Sequence, residues 1–183
     1  MNKDVERLIE DLRSDNDSIR MNALKRVLEL TESRVDWIYD VWDGLFEMLK
    51  DKNSFKRSIG IMVFCNLAKS DIEDRLSGSI DLILAHTHDE KFVTSRQCLQ
   101  NIWKLALTSE DNFKRIISHL EMRFMECINE DHYNLLRQDI IQSMKAIYDS
   151  TSDKSVFEKA SLLISEENEI KYRKKYEAIL IEN

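Results

Sequence analysis

The sequence predicts an all-helical chain, a right-handed α-solenoid of four to five antiparallel helix pairs, and three observations predict it. Its 183 residues include no proline and only three glycines, where average usage of about 5% and 7% would supply roughly nine and thirteen. Its apolar residues recur at intervals of three and four, the period of one helix face. An arginine returns at intervals near 40 residues, the spacing of stacked helix pairs.

The shortage of proline and glycine removes more than sheets joined by tight turns. Gly44, Gly60 and Gly78 stand far apart, so no Gly-x-Gly-x-x-Gly fingerprint, phosphate loop or Gly-x-Ser-x-Gly elbow can be written. The formal charge of −7, from 34 acids against 27 bases, disfavours long polyanion tracks and ranks nucleic acid low among partners. Cys65, Cys98 and Cys127 are odd in number and widely spaced, suggesting buried reduced thiols rather than a disulfide framework or zinc ribbon. The first residues run straight into a helical pattern without the apolar core of a signal peptide. The longest apolar run, from Ile59 to Cys65, is far below the roughly 20 residues that span a bilayer. The expected setting is cytoplasmic, with no membrane partner.

Taken in order, Val5, Leu8, Ile9 and Leu12 mark a first helix, Leu24, Val27 and Leu28 a second, and Ile38, Val41, Trp42, Leu45 and Leu49 a third. Polar clusters punctuate them: Ser14 to Ser18, Lys52 to Ser54, His88 to Glu90, Asn129 to Asp131 and Ser150 to Asp153. Each offers side chains that cap a helix start. They divide the chain into about nine or ten helices and a single domain over 1–183. The pairs cover about 3–33, 34–70, 71–109 and 110–150, with a degenerate terminal unit at 151–183.

Arg20, Arg57, Arg96 and Arg137 lie 37, 39 and 41 residues apart, each near the start of a pair's second helix. Three positions after them stand Ala23, Gly60, Leu99 and Ile140; seven after, Val27, Phe64, Trp103 and Met144; ten after, Leu30, Leu67, Ala106 and Ile147. Twelve before stand Leu8, Leu45, Leu84 and Met125. An acid precedes the arginine by six in three units, as Asp51, Glu90 and Asp131, whereas the first unit has Ser14 there. Arg173 with Glu167 repeats the spacing in the terminal unit. Gly60, where the other pairs hold larger side chains, is placed for close helix packing.

This pattern resembles the HEAT repeat family, part of the armadillo-like helical repeats, with Asp15-Asn-Asp-Ser-Ile-Arg-Met-Asn-Ala-Leu as the most family-like stretch. The missing proline and the residues before Arg57 and Arg96, Lys56 and Ser95, depart from it. The resemblance implies that Asp51, Glu90 and Asp131 match the turn acid, that Arg20, Arg57, Arg96 and Arg137 match the helix arginine, and that the two sets form a structural ladder between adjacent repeats. The physical expectation for such partly buried, charge-assisted pairs is that they fix register.

Few residues invite chemistry. His86-Thr-His88-Asp-Glu90 looks like a metal cluster, but side chains two apart on a helix point apart, so no metal site is expected. No nucleophile, base and acid group themselves, so no catalytic residue and no cofactor is assigned, and the chain is expected not to be an enzyme. Cys98 follows the Arg96 turn, where a helix start and a cation would lower a thiol pKa, although an inert core residue is the plainer reading. Met62, Met122, Met125 and Met144 follow helical spacing and read as core. Tyr172-Arg-Lys-Lys-Tyr176 has a phosphate-contacting composition but belongs to a charge-balanced tail, which favours a solvated face. Trp37, Tyr39 and Trp42 crowd one helix start and read as packing, with one ring partly exposed.

The arginine register also places the solvent-facing columns of the second helices, which line the concave side of a right-handed stack. They hold Lys25 in the first unit, Met62 in the second, Gln97, Asn101 and Lys104 in the third, and Gln138, Gln142 and Lys145 in the fourth. Amides and lysines suit an extended peptide or an acidic helix. The expected function is a non-catalytic protein-interaction or scaffold module that binds another protein or a peptide on this face. The rival is a DNA-binding enzyme of the DNA-alkylation-repair glycosylase type, also built from HEAT-like repeats, which would need a strongly basic concave face.

Overall fold

The computed structural model describes residues 3–181, and its elements are helices and turns, with no strand among the described residues. Contacts divide the chain into two compact units between Cys98 and Leu99.

The first unit contains α1 (Lys3–Asp11), α2 (Asp17–Leu30), α3 (Ile38–Leu49), α4 (Ser54–Leu67), α5 (Ile80–Ala85) and most of α6 (Phe92–Asn101). Helix α1 packs on α2, α3 on α4, and α2 on α4. The period-three-and-four positions reach the core: Leu12, Val27, Leu45, Leu49, Phe64 and Leu67 are all buried. Trp42 meets Phe64 edge-on with ring centroids 4.8 Å apart. Helix α4 is buried nearly all round, as expected of a helix with neighbours on several sides. Gly60 belongs to this packing, because a Cβ built on it would lie 3.0 Å from Met48 Cβ.

The second unit contains the end of α6, then α7 (Trp103–Ala106), α8 (Glu110–Glu126), α9 (Tyr133–Thr151), α10 (Lys154–Ser165) and α11 (Ile170–Ile181). Helix α9 touches α7, α8, α10 and α11 and forms the centre. Its Leu136, Ile140, Ile141, Met144 and Ile147 are buried. Tyr176 of α11 is fully buried and donates its hydroxyl to the Asn134 carbonyl at 2.9 Å.

Polar caps replace the missing glycine and proline. Asn16 accepts from the Ser18 and Ile19 amides, Asn53 from Phe55, Ser109 from Asn112 and Asp153 from Ser155. Such caps satisfy donors that the helix leaves unpaired. The cluster at 129–131 behaves differently. Helix α9 starts after His132, which adopts a left-handed backbone (φ 59°) and gives no side-chain cap. Glu130, in the middle of that cluster, is gripped by Arg123.

Two of the four methionines expected in the core are outside it: Met144 is buried and Met62 half-buried, but Met122 and Met125 are 52% and 47% exposed. The buried place on that turn of α8 goes to Phe124 and Arg123. No helix among the described residues is long and apolar enough to cross a membrane.

Candidate functional site

The recurring arginines are the most organised polar feature in either unit. In the first unit Arg57 donates through Nη1 to the Asp51 and Lys52 carbonyls, at 2.9 and 3.1 Å. Its Nε and Nη2 both reach the Asp89 carboxylate at 2.7 Å, and Glu90 lies at 3.8 Å. This is the two-toothed guanidinium–carboxylate geometry that fixes direction as well as distance. Asp89 lies 32 residues further on, and its carboxylate also accepts from the Lys91 amide and faces His86 Nδ1 at 3.2 Å. Burial works to raise the Asp89 pKa, but the hydrogen bonds from Arg57, the Lys91 amide and His86 outweigh it and hold the carboxyl below the usual range.

This geometry changes the expected roles of the acids around Arg57. Asp51 contributes its carbonyl to Arg57 and uses its carboxylate to accept from the Asn53 amide. Glu90 is an outlying second acid on Arg57, and Asp131 is exposed in the turn before α9. The position six before the arginine matters through its main chain: Arg20 Nη1 donates to the Ser14 carbonyl at 2.7 Å, and Arg173 Nε to the Glu167 carbonyl at 2.9 Å. Any residue type serves a carbonyl, so Ser14 fits the column as well as an acid does. Arg20 also pairs with Asp17 on its own helix. Arg96 is half-buried, with its guanidinium 5.8 Å from the Phe92 ring centre.

In the second unit Arg137 lies 4.3 Å from the centre of the Phe124 ring and donates through Nε to the Phe124 carbonyl. Its Nη1 holds the fully buried Glu167 at 2.9 Å. The Glu167 carboxylate also accepts from the Glu169 amide. An arginine outside the repeat register, Arg123, is 1% exposed and takes Glu130 with both terminal nitrogens, at 2.5 and 2.8 Å. Periodicity gave no sign of it, because the pair is local to the end of α8.

The residues expected to form the interaction columns are placed as follows. Lys25 is exposed on α2, Met62 half-buried on α4 and Gln97 half-buried on α6. In the second unit Lys104 donates to Asn101 at 2.9 Å, Gln142 is exposed, and Lys145 is held by Asp149 at 2.6 Å. Gln138 Oε1 is a buried acceptor with no hydrogen-bond partner. Beside them, Gln100 donates to buried Asp139 and Ser143 to the Leu99 carbonyl, which fixes α9 against the end of α6.

The remaining candidates are structural. His86 to His88 form a 3-10 turn in which His86 faces Asp89, and among the described residues no group of three His, Cys, Asp or Glu is arranged to hold a metal ion. Cys98 is fully buried and donates its thiol to the Ile83 carbonyl; burial pushes its pKa well up, opposite to the lowering that the Arg96 turn suggested. Tyr172 and Tyr176 are packing residues, edge-on to Tyr133 and Phe124. Trp37 and Trp42 are buried and Tyr39 is half-buried; its hydroxyl donates to Asp71 and accepts from the Glu73 amide.

No known protein family and no curated protein matches the sequence. Solved structures do. An engineered protein, Northeast Structural Genomics Consortium target OR329, superposes with a TM-score of 0.57 at 16% identity over 98% of this chain and 78% of its own. Two further engineered proteins, targets OR366 and OR497, give TM-scores of 0.56 and 0.54, each at 16% identity over 98% of this chain, with 80% and 47% of their own chains covered. At that identity the likeness concerns the fold alone: an all-helical chain, consistent with a helical repeat.

Proposed function

We propose that the chain is a non-catalytic protein-interaction module of the cytoplasm, a right-handed α-solenoid of four to five HEAT-like helix pairs that takes an extended peptide or acidic helix on its second helices. The supporting observation is the division of labour among its polar groups. Arg57 and Arg137 are buried and fully engaged with carboxylates and carbonyls, so the strongest charges hold the fold together. Asn101, Lys104, Gln138, Gln142 and Lys145 remain at least partly accessible on helices α6, α7 and α9 of one unit. Side-chain amides offer a donor and an acceptor each, which suits recognition of peptide backbone.

The test is comparative capture from lysate by the wild-type chain and by Lys104→Glu with Lys145→Glu. Selective loss of the same captured proteins from the double variant supports the reading. Unaltered capture removes this face, and a salt-dependent shift of duplex DNA at moderate ionic strength would replace the reading with a nucleic-acid one.

A further inference from the structure

Arg123 and Phe124 take the buried places on the last turns of α8, Arg123 through its pair with Glu130, and this turns Met122 and Met125 outward. Helix α10 packs beside α8 and runs in the same direction, because Arg137 near the start of α9 bonds both the Phe124 carbonyl near the end of α8 and Glu167 just past α10. Lys159 bridges both oxygens of Glu121 at 2.7 Å and sets the register between the two helices. One turn further along each helix stand Met125 and Leu162, and Leu162 is 67% exposed. A single exposed apolar side chain needs no explanation, but three on one side of two adjacent helices do. Their surroundings are acidic. Glu158 lies one turn before Leu162 and Glu166 one turn after it, while Glu126 follows Met122 by a turn, and all three acids are exposed. Lys159, the base among these residues, is already held by Glu121.

We propose that the outer furrow between α8 and α10 docks a basic amphipathic helix of another protein. Its apolar face covers Met122, Met125 and Leu162, and its lysines or arginines answer Glu126, Glu158 and Glu166. Charge complementarity selects this occupant: an acidic helix would meet three like charges, and the nearby lysine is already engaged. Shape selects a helix, because two helices side by side leave a furrow that receives the ridge of a third. The thioethers of Met122 and Met125 are unbranched and polarisable, so they adapt to whichever apolar side chains the partner presents. Helices α8 and α10 are the first helices of their pairs, and the amide and lysine face lies on α6, α7 and α9, so each reading can fail alone.

The probe is a fluorescent synthetic peptide of leucine and lysine, about 18 residues long, with leucine at the spacing that makes one apolar helix face. It is titrated by anisotropy with the full chain. Saturable binding is expected at about 1 to 100 μM, the range of a small single-helix contact. Met125→Gln with Leu162→Gln weakens it about tenfold or more, and so does Glu158→Gln with Glu166→Gln. A peptide of the same composition, with its leucines scattered around the helix, binds about tenfold more weakly or worse. Gln142→Ala, on the second-helix face, leaves binding unchanged. Every substituted side chain is exposed, so the losses report on docking rather than folding. Equal binding of the two peptides, binding indifferent to either double substitution, or no saturable binding overturns the proposal. Self-association of the full chain that Leu162→Gln abolishes also overturns it, in favour of a second copy.

Discussion

Arg57 reaches 32 residues along the chain to close a two-toothed pair with Asp89, whose side chain is 4% exposed, and it uses the carbonyl rather than the carboxylate of Asp51. The two acids flanking this arginine in sequence logic therefore carry different weights. Removing one partner of a buried pair leaves an uncompensated charge, which costs about 3 to 5 kcal/mol. Asp89→Ala should fall in that range in chemical denaturation. Asp51→Ala should cost about 1 kcal/mol, the loss of its bond to the Asn53 amide. Equal losses at the two positions would show that Asp51 shares the charge of Arg57.

The same pair sets an acid limb on stability. Because the folded Asp89 carboxyl sits below its ordinary pKa, the folded state binds fewer protons than the unfolded one over that interval. Its contribution is fully present above the unfolded value of about 3.9 and is lost as pH falls through the lower folded value. Unfolding free energy measured from pH 5 downward should fall, and Asp89→Asn should flatten part of that fall. An unchanged slope would remove Asp89 as its source.

The arginine column was legible because burial constrains it twice, by spacing and by charge. Its partners were legible only in part: Glu167, in the acid column of the following unit, does pair with Arg137, whereas Arg57 takes Asp89, one residue outside that column, and the carbonyls that complete the pairing have no sequence signature. Helix existence followed from apolar spacing at residues such as Leu45, Phe64 and Ile140, all buried. Met122 and Met125 escaped that logic because the neighbouring Arg123 took a buried place through its bond to Glu130. An arginine stem covers apolar surface while its head is paired, and periodicity counted by hydrophobicity does not register it.

Gly60 and Gly44 should respond in opposite ways to alanine. Either substitution gains about 1 kcal/mol of helix propensity. At Gly60 the new Cβ would meet Met48 Cβ at 3.0 Å and Leu49 Cδ2 at 3.4 Å, both on packed α3, and overpacking costs about 1 to 3 kcal/mol. At Gly44 only the guanidinium end of Arg13 stands in the way, and Arg13 is an exposed residue whose long side chain can swing aside. Thermal melts should place Gly60→Ala below wild type and Gly44→Ala at or above it.

Ser152 ends α9 in the left-handed region, φ 58°, with its amide bonded to the Tyr148 carbonyl at 2.7 Å. A residue with a Cβ is disfavoured there by about 1 to 2 kcal/mol, and glycine is not. Ser152→Gly keeps the backbone bond and removes the steric cost, although the freer unfolded chain offsets part of the gain. The variant should melt a few degrees higher; a lower melt would mean that the serine side chain stabilises the turn between α9 and α10.

The three thiols should be silent in the native protein. Cys65, Cys98 and Cys127 are all buried, and for Cys98 and Cys127 desolvation is the largest influence on the pKa and raises it. Arg123 and Arg137 pull Cys127 the other way without overcoming burial. Only the thiolate attacks a disulfide reagent, so both its scarcity and its lack of access slow the reaction. Titration with an aromatic disulfide at pH 8 should therefore follow the unfolding rate, with denaturant accelerating Cys65 and Cys98 together in the first unit and Cys127 with the opening of the second. Rapid labelling of Cys98 in native buffer would mean that α6 opens locally around the Ile83 carbonyl contact, and it would restore the reactive thiol that the Arg96 turn suggested.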